Sequence, residues 1–421
     1  MTASRRALLR AAGAGALLAA CERALPAPAP TPSPTPSAAA TPPPTPFPSS
    51  ATAAEGPRPI RIEAAALADG RSASAQRGVV VVIRDGRITY AGPPDGAPDV
   101  RDADVVDLRT LTVVPAMVDC HAHITGTGGS DAHTRLQDPD AVLLARAAEN
   151  AKLLVRTGVL GVRDVGALRG ANVKARDALR GRTDVPYILA AGTWIARRSR
   201  YVSFAIQVDD ADALHAAAMA QLDAGADLVK IAADGTTGSA AHWTASELRR
   251  TVDAVHARGK KVAAHSQGLG ARVAAEAGAD TVEHGFVIDA PTANAMKGRS
   301  TLVTSLSVAS AFGQLDIALP SVRAARDASV RIATGTDAGG APPRFGDFAT
   351  EIELLVRAGL QPHEALASAT RIGGEVLGIT GLGTFDANVP ADLVLIDGDP
   401  LSDPAALRRV RAVFRAGQRI V

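Results

Sequence analysis

The stretch Val113-Val114-Pro115-Ala116-Met117-Val118-Asp119-Cys120-His121-Ala122-His123 is an apolar run that ends in two histidines one residue apart. Side chains at i and i+2 of a strand share a face, so His121 and His123 project together. Two imidazoles at one strand end suit a shared metal ion. Cys120 is out of phase with them. It is expected to face an outer helix layer as a packed thiol rather than a ligand.

Similar short apolar runs recur along the chain. Candidate strands are 112–120, 159–165, 186–193, 227–232, 260–265, 279–284, 301–307 and 330–336, and candidate helices include 140–156, 211–224, 245–258, 268–277 and 347–358. Eight strands, each followed by helical or connecting sequence, predict an α/β fold with a (β/α)8 TIM-like barrel over residues 114–384. Regions 195–210 and 307–318 read as irregular and are expected as loops at the active site. The Gly126-Thr127-Gly128-Gly129 stretch reads as a flexible substrate loop or a plain connector.

The two ends of this region are strand-rich. Gly78–Ile83, the pair Asp85-Gly86 and Arg87–Tyr90 read as a hairpin with a primed turn, and Val105–Leu108 as a further strand. Ala391–Ile396 and Val410–Gly417 return to the same style. Neither set suffices alone. Residues 57–113 and 385–421 are therefore expected to pair into a small β-sandwich domain built from both chain ends.

Polar residues fall at the predicted strand ends. Lys230 lies inside Ala226-Asp227-Leu228-Val229-Lys230-Ile231, and only six of the 45 basic residues are lysines. An unpaired ammonium there is costly. Lys230 is either carboxylated by carbon dioxide to a metal-bridging carbamate or paired with a carboxylate at the rim. His265 ends Lys261–His265, and His284 ends Asp280–His284. Each alone reads as a core histidine, but together they stand where such barrels gather catalytic groups. Asp337 ends Val330–Asp337, placed to bind metal and accept a proton or to cap the next helix.

Composition excludes several classes. Basic and acidic residues number 45 and 43, a formal net charge of +2, so no nucleic-acid partner is expected. Two cysteines, Cys21 and Cys120, exclude a disulfide framework. Hydrophobic residues at 47% suffice for a large core, and aromatics at 3% argue against a stacking platform for sugars or bases.

Residues 1–20 read as a signal peptide. Ser4-Arg5-Arg6-Ala7-Leu8-Leu9-Arg10 resembles a twin-arginine signal, and Leu18-Ala19-Ala20-Cys21 a bacterial lipobox, with Cys21 the lipidated residue. Residues 21–56 carry this cysteine and a tether, with 11 prolines between Pro26 and Pro48. Polyproline II at ~3.1 Å per residue would let it reach ~100 Å. The expected location is the cell envelope, outside the cytoplasm and anchored to a membrane through Cys21.

The set His121-Ala122-His123, Lys230, His265, His284 and Gly335-Thr336-Asp337-Ala338-Gly339 resembles the metal-dependent amidohydrolase superfamily. It is most similar to the imidazolonepropionase-related branch and to binuclear zinc dipeptidases acting on Xaa-Pro or Xaa-Arg/Lys peptides. The tail Ala391–Leu401 shares the likeness. The resemblance implies two divalent metal ions, zinc by ligand type. One would be held by His121, His123, carboxylated Lys230 and Asp337, and the other by the same carbamate with His265 and His284. Asp337 would be the catalytic proton carrier. Gly268 stands where the deaminase branch carries a glutamate, which disfavours deamination, and Lys230 disfavours mononuclear imidazolonepropionase chemistry.

Trp194–Tyr201 departs from the family pattern. Its Arg198 and Arg200 are candidates to grip a substrate carboxylate, with Tyr201, His242 and His133 as further loop candidates. A solvated loop is the alternative. The expected function is exported, lipid-anchored hydrolysis of C–N bonds in a dipeptide or other small-molecule amide, dipeptidase or carboxypeptidase-like. The rivals are a cyclic amidase or lactonase of the same superfamily and a catalytically silent substrate-binding lipoprotein. A homo-oligomer stays open.

Overall fold

The computed structural model describes residues 58–421. The expected signal peptide, Cys21 and tether lie outside the described residues. The chain enters through β1 (Ile60–Leu67), β2 (Gln76–Arg84), β3 (Arg87–Gly92) and β4 (Asp104–Pro115). The β2–β3 hairpin turns at Asp85 and Gly86, with φ of 48° and 73°. Both are left-handed, the primed-turn geometry that matches strand twist. Gly86 serves a second purpose, since a Cβ there would lie 2.5 Å from the Ala416 carbonyl oxygen.

Ten strands follow: β5 (Met117–Ala122), β6 (Val159–Asp164), β7 (Tyr187–Ala190), β8 (Ile195–Arg197), β9 (Ile206–Val208), β10 (Leu228–Ala232), β11 (Lys261–Ser266), β12 (Thr281–His284), β13 (Thr301–Thr304) and β14 (Ile332–Thr334). The chain ends with β15 (Leu393–Ile396), β16 (Val410–Arg415) and β17 (Gln418–Arg419).

Strands β5–β7 and β10–β14 are the eight staves of a parallel barrel. The Asp227 N–H donates to the Ala190 carbonyl at 2.8 Å, bridging β7 to β10. The His123 N–H donates to Ala338 at 2.8 Å and the Asp337 N–H to His121 at 2.7 Å, closing the barrel between its last and first strands. Helices Asp140–Arg156, Ala171–Leu179, Ala211–Asp223, Ala245–Ala257, Gly270–Ala277 and Leu315–Asp327 lie between the staves in the sequence. Their buried faces, such as Leu248, Val252 and Val255, join the barrel core. The barrel is thus the predicted TIM-like one.

The remaining strands form one seven-stranded sheet in the order β17-β16-β15-β4-β1-β2-β3. Its core contains Ile62, Val81, Ile83, Ile88, Leu393, Leu395 and Phe414. The Ile88 N–H donates to the Val389 carbonyl at 2.9 Å. The sandwich's two faces are therefore arms of one sheet that curls back on itself, built from both ends of the described chain.

Three sequence expectations change in detail. The run 112–120 is not one strand. β4 ends at Pro115 in the small sheet, and β5 begins at Met117 in the barrel. Residues 112–120 are buried throughout, so hydrophobicity carries no mark of the change of partner. Region 195–210 contains β8 and β9, added beside β10. Three residues are too few for a periodicity to show. Region 307–318 lies in helices Leu306–Ala311 and Leu315–Asp327, where Gly313 and the internal Pro320 hide the helical pattern.

Candidate metal centre

Six side chains converge at the C-terminal end of the barrel. His121 ends β5 with His123 just beyond it, Lys230 lies in β10, His265 in β11, His284 ends β12, and Asp337 follows β14. All six are buried. Asp337 Oδ1 lies 3.1 Å from His123 Nε2 and 3.5 Å from His121 Nε2. These three residues offer ligand atoms within 4.8 Å of one another. The His284 ring centre is 4.7 Å from those of both His121 and His265, which makes one continuous cluster of four imidazoles.

Each imidazole has at least one nitrogen engaged outside the cluster. His121 Nδ1 meets Glu283 Oε2 at 2.8 Å, His123 Nδ1 meets the Gly166 carbonyl at 2.7 Å, and His284 Nδ1 meets Ser305 Oγ at 2.6 Å. His265 is reversed. Its Nε2 meets the Gly235 carbonyl at 2.9 Å, and its Nδ1 faces the Tyr201 hydroxyl at 3.4 Å. Metal-ligating histidines characteristically use the second nitrogen in this way.

Burial holds the His121 and His284 imidazoles well below their ordinary pKa and brings His265 down to about 3, leaving neutral rings with a lone pair. Burial pulls on His123 too, but its hydrogen bond and attraction to Asp337 outweigh that and raise it.

Lys230 Nζ is buried with no hydrogen-bond partner among the described residues. Burial lowers its pKa to about 8, against the pull of Glu283. Four imidazoles, one carboxylate and an orphaned amine form a donor set that fits divalent ions of zinc's preference. His284 and Asp337 also have φ of 68° and 57°. Left-handed backbone at non-glycine residues is strain, and strain collects at functional sites.

Residues that sequence reasoning missed hold these groups in place. Asp119 accepts the His121 N–H at 3.1 Å, the Thr336 N–H at 3.1 Å and the Thr336 hydroxyl at 2.6 Å, tying β5 to the turn before Asp337. Asp164 accepts from Ile124, Gly166 and Asn172. Asp234 accepts the Ser266 hydroxyl and the N–H groups of Gln267, Gly268 and Gly270. Glu283, beneath the histidines, is clasped by Arg163 at 2.7 and 2.9 Å. Their one visible signal was a carboxylate inside an apolar strand, as at Asp119 and Glu283.

The loop candidates separate. Arg198 pairs with Asp209 at 2.6 and 3.0 Å on the exposed surface. Arg200 is exposed and has no ion-pair partner among the described residues. Tyr201 packs with its ring centre 4.5 Å from that of His265. His242 has a buried Nδ1 with no partner among the described residues, and burial plus Arg200 and Arg197 lower its pKa to about 4. His133 stacks edge-on to Phe204 at 5.6 Å, and Phe204 lies 5.4 Å from Trp194. Trp194 in turn lies 5.2 Å from His123.

Cys120 points away from the cluster, its Sγ 3.8 Å from the Gly373 carbonyl of helix Arg371–Leu377. Burial pushes its thiol up to about 12. The Gly126–Gly129 segment packs on residues 339–344, where Gly128 N–H donates to Gly339 and Gly129 N–H to Pro342, each at 3.1 Å. At Gly268, a Cβ would lie 2.3 Å from the Ser239 carbonyl oxygen, so this backbone admits no glutamate there.

Known proteins resemble the chain over most of its described length. The profile of the Amidohydrolase family matches residues 112–420. An uncharacterised protein of Mycobacterium tuberculosis is 30% identical over 363 residues, covering 80% of this chain and 90% of that protein. An imidazolonepropionase of Rhizobium meliloti is 30% identical over 385 residues, covering 80% and 88%. The crystal structure of a Xaa-Pro dipeptidase with methionine bound in its active site superposes with a TM-score of 0.76. Identity is 25%, with coverage of 86% of this chain and 99% of that one.

Proposed function

The chain belongs to the amidohydrolase family, hydrolases of carbon–nitrogen bonds, and from its site we propose a binuclear metal-dependent enzyme that cleaves small open-chain amides, dipeptides first among them. The observation that carries this reading is the Lys230 amine, buried beside the imidazole cluster with no hydrogen-bond partner among the described residues. A neutral lysine amine adds to carbon dioxide, forming an N–C bond and releasing one proton. The resulting carbamate is an anionic oxygen ligand. His121, His123, Asp337 and carboxylated Lys230 would hold one ion, and His265, His284 and the same lysine the second.

Ions bound there would lower the pKa of a bound water toward ~7 and polarise the substrate carbonyl. The chain's own groups do the rest. The Asp337 carboxylate takes a proton from the attacking water and delivers it to the departing nitrogen. Trp194, Phe204 and Tyr201 wall one side and exclude water. Arg200 and the partly exposed His242 ring supply donors for a substrate carboxylate. The resemblance to a Xaa-Pro dipeptidase structure supports the choice of dipeptides.

The test is metal analysis with product analysis on dipeptides, N-acyl amino acids, hydantoins and lactones. Two zinc ions per chain, lost in Lys230→Ala, with free amino acids as products, is the expected result. Turnover confined to cyclic amides or lactones overturns the dipeptidase reading, and turnover retained by Asp337→Asn overturns the role of Asp337. For location, we propose export and anchoring through a lipid on Cys21, supported by the sequence of residues 1–21. Cys21→Ser should release the protein from the membrane fraction.

A further inference from the structure

Ser305 stands at the start of the six-residue helix Leu306–Ala311. A serine in that place ordinarily accepts an N–H from the first turn. Here its side chain makes no such bond, and its Oγ lies 2.6 Å from His284 Nδ1 instead. The capping comes from Glu351, 45 residues beyond Leu306 and on helix Ala349–Arg357. Glu351 accepts the N–H groups of Leu306 and Ser307 and the Ser307 hydroxyl, each at 2.7 Å, and the Thr304 hydroxyl at 2.9 Å.

Glu351 is wholly buried. Among the described residues its carboxylate is met by neutral donors alone. Burying a carboxylate without a counter-charge is costly, and a serine cap would hold the same short helix for less. The arrangement makes sense when the serine is needed elsewhere. If His284 donates Nδ1–H to Ser305 Oγ, the lone pair stands on Nε2. With the proton on Nε2, the ring would be no ligand.

We propose that Glu351 is a positioning residue for the metal centre. By capping the Leu306–Ala311 helix in place of Ser305, it frees Ser305 to fix the tautomer and orientation of His284. The inference rests on the reading of His284 as a ligand of the second ion.

Zinc titration of the full-length protein against a chromophoric chelator tests it, read as two successive dissociation constants. Ser305→Ala and Glu351→Gln should each weaken one step by ~10–100-fold and leave the other within about twofold. The double variant should be no weaker than the worse single one, because both act through one imidazole. Metal-free Ser305→Ala should melt with the wild type, and cobalt-loaded variants should show a shifted visible spectrum. A wild type that binds two ions, with variants of unchanged constants, overturns the relay alone. So does Glu351→Gln that lowers metal-free stability while Ser305→Ala binds as the wild type does. A wild type with no second ion overturns the binuclear reading first, and the relay with it.

Discussion

Glu283 places Oε2 2.8 Å from Nδ1 of His121, both side chains buried in the barrel, while Arg163 donates to both oxygens of the same carboxylate. Arg163 also donates to the Cys120 carbonyl at 2.6 Å and the Thr281 hydroxyl at 3.1 Å. The inner end of a candidate ligand histidine is thus held by an ion pair that spans the barrel. Burial pushes the Glu283 carboxyl up, but attraction to Arg163 and Lys230 and the Thr281 hydrogen bond together hold it below its ordinary pKa.

Glu283→Ala should strand a buried guanidinium and destabilise the metal-free protein by about 3–5 kcal/mol. The double change Arg163→Met/Glu283→Leu should recover most of that loss, because no charge is left unpaired. It should still bind metal ~10–100-fold more weakly, since His121 has lost its anchor. Denaturant unfolding and metal titration of the same samples separate the two effects.

A Cβ on Gly166 would lie 2.3 Å from Trp194 Cε2, although the glycine's backbone is not left-handed. Gly166→Ala should therefore push the indole off His123, at a cost of ~1–3 kcal/mol. A shift in tryptophan emission, with activity lowered at least tenfold, is the expected outcome. Unchanged emission would show that the indole yields without moving the site.

Arg198 and Arg200 should behave differently in kinetics. Arg198→Ala removes an exposed ion pair with Asp209 and should leave stability unchanged, because solvent screens such pairs, and KM within about twofold. Arg200→Ala and His242→Ala should raise KM about tenfold on substrates with a free carboxylate and leave their carboxamides unaffected. Equal effects on both substrates would remove these residues from carboxylate recognition.

Burial raises the Asp234 carboxyl from 3.8 to about 6, against hydrogen bonds from Ser266, Gly270, Gln267 and Gly268. The folded state then holds this proton more tightly than the unfolded chain does. Its contribution to stability is present below pH ~4 and lost as pH rises through about 6. The stability of wild type relative to Asp234→Asn should fall between pH 4 and 6 and level off above 7. Denaturant midpoints of the metal-free proteins across that range check the sign.

The barrel was legible because each of its eight strands is a short apolar run between turn signals, and because polar residues interrupt those runs near their ends, as at Lys230 and His284. The β2–β3 turn was legible because Asp85-Gly86 is a local signal. Helices such as Ala290–Met296 and Arg371–Leu377 were not. The first carries Pro291 and the second Gly373 and Gly374, residues that suppress a helical pattern. The loop arginines looked alike in sequence, and only their neighbours, Asp209 for Arg198, tell them apart.

By itself the sequence determined the barrel, the pairing of the two ends into a small sheet, and which polar residues stand at strand ends. All of these follow from periodicity and turn chemistry read within a few residues. Only the tertiary structure decided the break at Ala116, the short β8 and β9, and the partners Glu283, Ser305 and Gly166 that orient His121, His284 and His123. Those depend on contacts between residues such as His121 and Glu283, 162 apart in the chain. A pattern that reports each residue's own face carries no record of them.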